Sequence, residues 1–286
     1  MPPAVTFERV LTNGVELQCA IAGEGPLLFL LHGFPEFWQC WENQIPELAK
    51  EFRVIAPDLR GFASSDKPVA GYGGRILAND ILGLIDHYAG PDEPVRIAGH
   101  DWGGYILWFL AYLAPERLKR ITVLNSPHPW MYQLSIFTSS QVWRLWYVLF
   151  FQIPCIAEWF IGRKNGAGAV SVLHVGSNGF AFPPEYIDAI RREITRPGAP
   201  PATLEYYRTA ARYGLTGVCF LRGITQVPVQ VIWGTADPAL SVSLTQHVDR
   251  HAPNVQVDLL PNIGHYVTHE APELVTELLL SWMRSA

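Results

Sequence analysis

The run Val95-Arg96-Ile97-Ala98-Gly99-His100-Asp101-Trp102-Gly103-Gly104 leaves this chain little choice of architecture. A short apolar strand meets glycine, then one reactive side chain, then two glycines that open a helix, the strand–turn–helix pattern of a nucleophile elbow. So sharp a turn crowds the backbone, and only glycine neighbours leave room for it. The residue at the apex is Asp101. A carboxylate is already an anion at neutral pH and needs no base to activate it. Its attack on an ester or amide carbonyl would give an anhydride, which lies uphill. Attack on a saturated carbon, as in an epoxide or a haloalkyl group, gives an ordinary ester. The elbow therefore predicts displacement at sp³ carbon followed by hydrolysis of an enzyme-bound ester. The competing reading, Asp101 as a mere N-cap for the helix that starts at Trp102, leaves the flanking glycines without a purpose.

The rest of the chain supplies the sheet that such an elbow needs. Val5 to Val10 and Val15 to Ala20 read as strands joined by the hairpin signal Asn13-Gly14. Leu27 to Leu31, Arg53 to Pro57, Val95 to Ala98 and Ile121 to Leu124 are short apolar runs suited to strands buried on both faces. Helical spacing fills Trp38 to Lys50, Ile76 to Tyr88 and Trp102 to Leu113 between them. This alternation predicts a mostly parallel sheet with helices on both faces. It stops after Asn125-Ser126-Pro127-His128-Pro129, and an aromatic, helical stretch follows to about Gly223. Strand and helix then alternate again: Val229 to Trp233, Leu240 to Arg250, Val255 to Leu259 and Pro272 to Met283. The expected organisation is a core of residues 1–129 and 224–286 interrupted by a helical cap of residues 130–223.

Composition narrows the function. With 286 residues, 49% hydrophobic and 16% charged, one large domain with a substantial core is expected. A net charge of −5 offers no basic face for nucleic acid. Cys19, Cys40, Cys155 and Cys219 show no metal spacing and read as free thiols of a cytoplasmic protein. The apolar stretch Trp143 to Ile161 is interrupted by Arg144, Gln152, Pro154 and Glu158, which argues against membrane insertion. Trp130 to Phe160 could bury a homodimer interface as readily as a pocket for a small apolar substrate.

Catalytic groups in parallel sheets gather where strands end. Val229–Trp233 runs into Gly234-Thr235-Ala236-Asp237-Pro238, and Val255–Leu259 into Asn262-Ile263-Gly264-His265. With Asp101, these complete the order nucleophile, acid, histidine. Asp237 would hold the ring of His265, which would take a proton from water. Asp237 and His265 could each also be ordinary loop residues; their joint order favours the catalytic reading. His269 reads as structural, and the position after Leu124 offers Asn125 in place of an acid. The loop His32-Gly33-Phe34-Pro35 would supply an oxyanion hole from the Phe34 amide together with that of Trp102, with Pro35 expected to be cis and His32 structural.

These motifs, with Asp58-Leu59-Arg60-Gly61-Phe62, resemble those of α/β-hydrolase fold enzymes of the epoxide hydrolase branch, close to haloalkane dehalogenases. The resemblance implies an eight-stranded α/β-hydrolase sheet with an inserted cap, and no metal or organic cofactor. It also implies two cap tyrosines as acids for the epoxide oxygen. One precedes a Phe-Gln-x-Pro segment, here Tyr147 before Phe151-Gln152-Ile153-Pro154. The other precedes an arginine, here Tyr207 in Tyr206-Tyr207-Arg208. Neighbouring helix residues diverge by about 100°, so only one of Tyr206 and Tyr207 can face the site. Trp38, His128 and Phe151 are expected substrate contacts. Haloalkane dehalogenases commonly carry Asn where this chain has Phe34, and fluoroacetate dehalogenases carry arginines where it has Trp102 and Gly103, so dehalogenation is the alternative. A non-catalytic ligand-binding protein on the same scaffold is a further one. Ala63 departs from a usual Gly61-x-Gly turn.

Overall fold

The computed structural model describes residues 4–138 and 141–285. Eight strands form one sheet: β1 (Thr6–Thr12), β2 (Val15–Ala22), β3 (Leu27–Leu31), β4 (Arg53–Pro57), β5 (Val95–His100), β6 (Leu118–Leu124), β7 (Val229–Gly234) and β8 (Val255–Leu260). Their spatial order is β1-β2-β4-β3-β5-β6-β7-β8. β1 and β2, and β2 and β4, pair antiparallel, and every later neighbour is parallel. The β1–β2 turn puts Asn13 and Gly14 at φ 46° and 78°, the twist a two-residue hairpin needs.

Alternate residues of the central strands feed opposite faces. Phe29, Leu31 and Ile97 enter one core cluster, whereas Leu28, Leu30 and Ala98 enter the other. The first face packs against α2 (Gly74–Ala89) and α3 (Trp102–Leu113), and the second against the C-terminal helix Pro272–Arg284. All residues between β6 and β7 that adopt regular structure are helical among the described residues. In chain order these are α4 (Pro129–Thr138), α5 (Gln141–Arg144), α6 (Trp146–Phe151), α7 (Ile156–Gly176), α8 (Pro184–Ile194) and α9 (Ala199–Val218). No helix among the described residues is long and apolar enough to cross a membrane. All four cysteines are unpaired thiols, two buried and two exposed.

Two expected helices do not form. Trp38 to Lys50 splits into a 3₁₀ turn at Trp38–Trp41 and a single α-turn, α1, at Ile45–Leu48. Pro46 lies in that turn's first positions, where its missing N–H costs nothing, whereas it would break a continuous helix. Leu240 to Arg250 becomes two 3₁₀ turns, Val242–Thr245 and Val248–Arg250, separated by His247 at φ 63°. Leu240, Leu244 and Val248 are still buried, so the periodicity reported the buried face and not the backbone.

Candidate active site

The carboxyl ends of β3, β5, β6, β7 and β8 converge on Asp101. At φ 48° and ψ −113° this residue turns β5 into α3, and its side chain caps no helical N–H. Its Oδ2 instead accepts the Phe34 N–H at 2.9 Å. A left-handed φ at a non-glycine residue costs energy and is kept where the surroundings fix it. Here the surroundings are tight. A Cβ on Gly103 would stand 2.4 Å from the Leu31 carbonyl oxygen, and one on Gly33 2.5 Å from the Asp101 Cβ. The Phe34–Pro35 bond is cis, as expected.

His265 follows β8, and its Nδ1 lies 2.7 Å from Asp237 Oδ2. That bond sets the tautomer and leaves Nε2 3.9 Å from Asp101 Oδ1, too long for a hydrogen bond. The structure thus brings Asp101, Asp237 and His265 together. Asp237 is fully enclosed by donors: its Oδ1 accepts the N–H groups of Ala239 and Leu240, and its Oδ2 also accepts Asn125 Nδ2 at 2.7 Å. Burial alone would raise its pKa, but the His265 ring and these donors reverse that and hold it below the usual carboxylate range. Burial likewise opposes charge on His265, but the adjoining Asp237 and Asp101 carboxylates outweigh it and raise the ring to about 9.

Two cavities meet at Asp101. One, of about 300 Å³, is lined by Trp102, Tyr105, Tyr132 and Ala210 among others; the second, of about 400 Å³, by Phe34, Phe150, Phe151, Phe160 and His265 among others. Asp101, Tyr147 and Tyr207 belong to both. Burial, with neighbouring phenols and Asp101, pushes both tyrosine hydroxyls well above their ordinary pKa, so they stay protonated. The adjacent Tyr206 turns the other way and donates to the Arg60 carbonyl at 2.8 Å. Trp102 is the first residue of α3, where its backbone N–H has no helical acceptor. Its buried indole Nε1 finds no well-aligned acceptor, although it stands close enough to the Tyr207 hydroxyl to act against the burial that raises that phenol.

Phe151 lines the larger cavity, but two other expected substrate contacts lie elsewhere. Trp38 packs its ring on Phe7 and Phe37, while its backbone N–H donates to Asp58 Oδ1. His128 is drawn into the core, where it stacks on His251 at 4.6 Å and meets the Tyr112 hydroxyl at 3.1 Å. Its neighbours Ser126, Pro127 and Pro129 line the smaller cavity in its place. His32 is structural: its Nδ1 reaches the Gly33 carbonyl and its Nε2 accepts the Leu59 N–H. Ala63 adopts the left-handed conformation at φ 39°, so the turn tolerates the absent glycine.

Sequence reasoning missed several residues around the site. Asn125 bridges Asp237 and the Gly234 N–H. Tyr132 and Tyr266 each share a cavity wall with Asp101. Beneath His265, buried Glu36 receives His100 at 3.0 Å and the Tyr186 hydroxyl at 2.8 Å, with His269 at 3.3 Å, while His100 Nε2 contacts the His265 carbonyl. Among the described residues no group of three His, Cys, Asp or Glu side chains is arranged to hold a metal.

An elbow on a central parallel strand, an acid and a histidine after later strands, and a helical insertion over them define one class of protein. A family model described as alpha/beta hydrolase fold matches residues 26–272, and the chain belongs to that family. It is similar to AB hydrolase superfamily protein YfhM of Bacillus subtilis (strain 168), at 35% identity over 98% of this chain and 99% of that one. Epoxide hydrolase 4 of Mus musculus shares 30% identity over 97% of this chain and 79% of its own length. Among solved structures, the Bacillus megaterium epoxide hydrolase in complex with an inhibitor matches with a TM-score of 0.87 at 27% identity, covering 97% of this chain and 100% of that chain. Epoxide Hydrolase A from Mycobacterium thermoresistibile gives a TM-score of 0.87 at 27% identity, covering 99% of each chain.

Proposed function

We propose that this chain is an epoxide hydrolase that converts an apolar epoxide to a vicinal diol through an ester on Asp101. The observation that carries this reading is that Tyr147 and Tyr207, from two different helices of the cap, share both cavities with Asp101. An epoxide oxygen acquires negative charge as its C–O bond breaks and needs a proton, whereas a departing halide does not. Similarity to proteins named epoxide hydrolase supports the same substrate class.

In the first step an Asp101 oxygen bonds to a ring carbon, the ring C–O bond breaks, and one tyrosine gives its proton to the departing oxygen. Holding nucleophile and acid around one small ring makes the step effectively intramolecular. Esterification removes one of the two negative charges beside His265, which lowers the ring's pKa. The proton it releases restores the tyrosine. Neutral His265 then takes a proton from water as the water attacks the ester carbonyl, and the Phe34 and Trp102 amides hold the tetrahedral oxyanion. Collapse expels the diol oxygen, which takes the proton from His265, and leaves Asp101 as a carboxylic acid whose proton then passes to His265, restoring the starting state. Asp237 keeps the ring oriented throughout. The four free thiols suit a cytoplasmic setting.

His265→Gln with a small epoxide is expected to accumulate an adduct on Asp101, seen by intact mass and absent from Asp101→Asn. Unmodified protein in the first variant would refute the ester. A second reading, halide displacement, is favoured by one feature, the buried indole N–H of Trp102 at the Asp101 cavity, which makes no well-aligned hydrogen bond. Tyr147→Phe/Tyr207→Phe separates the two: epoxide turnover is expected to fall by about 10² or more, while haloalkane turnover, if present, would survive.

A further inference from the structure

A surface of the helical insertion is apolar where a water-exposed surface should not be. Trp143 is 83% exposed, Leu149 70%, and Trp146, Trp159 and Val175 64% each. Single exposed apolar residues are ordinary, but a cluster marks a contact surface. Trp146 and Leu149 on α6 stand three residues apart, as do Ile156 and Trp159 on α7, so each pair shares a helix face, and Trp143 near the end of α5 precedes the first pair across the break at Leu145. The Phe150–Phe160 contact at 5.3 Å ties α6 to α7. Trp146 and Val175 also rim the larger cavity, and Leu149 rims the smaller one, so this surface runs continuously into the mouths above Asp101.

Its charge is opposite to that of the whole chain. Arg163 lies with its guanidinium 5.4 Å from the Trp159 ring centre and 4.6 Å from that of Phe160. Lys164 follows at the break in α7, and Arg191 sits on the carbonyls of Lys164 and Asn165. None of these three cations forms a salt bridge among the described residues, and Glu158, the single carboxylate between positions 141 and 165, is held by Arg208 at 2.7 Å. The protein as a whole carries −5.

We propose that this face docks on the surface of an anionic lipid bilayer, with the tryptophans at headgroup depth and Arg163, Lys164 and Arg191 on lipid phosphates. Indole rings favour that layer because one part is apolar and the N–H is polar. Basic residues beside them add attraction to anionic lipid. A second copy of this chain is a poorer occupant, since a symmetric pair would bring two sets of unpaired cations together. Docking is peripheral and requires no spanning helix. It goes beyond the catalytic reading and is tested without turnover.

The test is flotation of the purified full chain with phosphatidylcholine vesicles and with vesicles containing about one quarter phosphatidylglycerol. Binding is expected to the second only and to weaken in high salt. Trp143→Ser/Trp159→Ser and, separately, Arg163→Glu/Lys164→Glu are each expected to cut the bound fraction about tenfold. Neither pair lines a cavity, so unchanged melting temperatures and circular dichroism would show that the fold is intact. Failure to float, or flotation that ignores both pairs of substitutions in folded protein, overturns the proposal. So does a concentration-dependent dimer abolished by Trp143→Ser/Trp159→Ser without vesicle binding, which would assign the face to self-association.

Discussion

His265 stands between Asp237 at 2.7 Å and Asp101 at 3.9 Å, and this arrangement makes stability depend on pH. Its pKa is raised from 6.5 to about 9, so the folded state holds the proton more tightly than the unfolded chain does. That contribution is complete below about pH 6.5 and disappears as pH rises through about 9; its full size is on the order of 3 kcal/mol. The melting temperature is therefore expected to fall between about pH 6 and pH 9.5, and His265→Gln should flatten that slope. An equally steep slope in the variant would place the titrating group elsewhere. Asn125 shows how such a site is completed by residues without chemistry of their own. Its amide binds both Asp237 and the Gly234 N–H, and with Asn125 at φ 41° it holds two strand ends in register.

The close passage of α3 over β3 is what presents Asp101. Gly103→Ala would set a methyl 2.4 Å from the Leu31 carbonyl oxygen and 2.7 Å from its carbonyl carbon, backbone atoms that cannot swing aside. Overpacking of this kind costs about 1–3 kcal/mol, and a fall in melting temperature of about 5 °C is expected. Gly162→Ala in α7 would meet only Pro200 Cγ at 3.7 Å and should leave the melting temperature level or slightly higher. The same element scale explains what could be read in advance. The elbow was legible because three glycines around one carboxylate have few other uses, and Asp237 and His265 because each ends a recognisable strand. Glu36, Asn125 and Tyr132 were not, since only the folded sheet brings them to residues far away in the chain. Apolar spacing misled at Trp38–Lys50 and Leu240–Arg250 because 3₁₀ turns can bury similar positions. An aromatic beside a motif likewise says little about where it points: Phe151 enters the cavity wall, while Trp38 and His128 pack into the protein.

At the scale of the whole molecule, the insertion and the sheet enclose a two-lobed space with Asp101 at the junction. On the proposed function, a terminal epoxide would fill one lobe and an internal epoxide would fill both. Ala210→Phe would fill part of the lobe of about 300 Å³. The expected result is a drop of about tenfold or more in kcat/KM for epoxides carrying a bulky group on each ring carbon, with terminal epoxides changed by less than about threefold. Equal losses for both would mean that the lobe is not occupied by substrate. The Tyr206 bond to the Arg60 carbonyl has a consequence of another kind. It fixes the azimuth of α9 from the rear, and Tyr207 inherits its aim from that fixing. Losing one residue from the preceding turn would swing both phenols by about 100°, so α9 can vary freely in surface composition but not in phase.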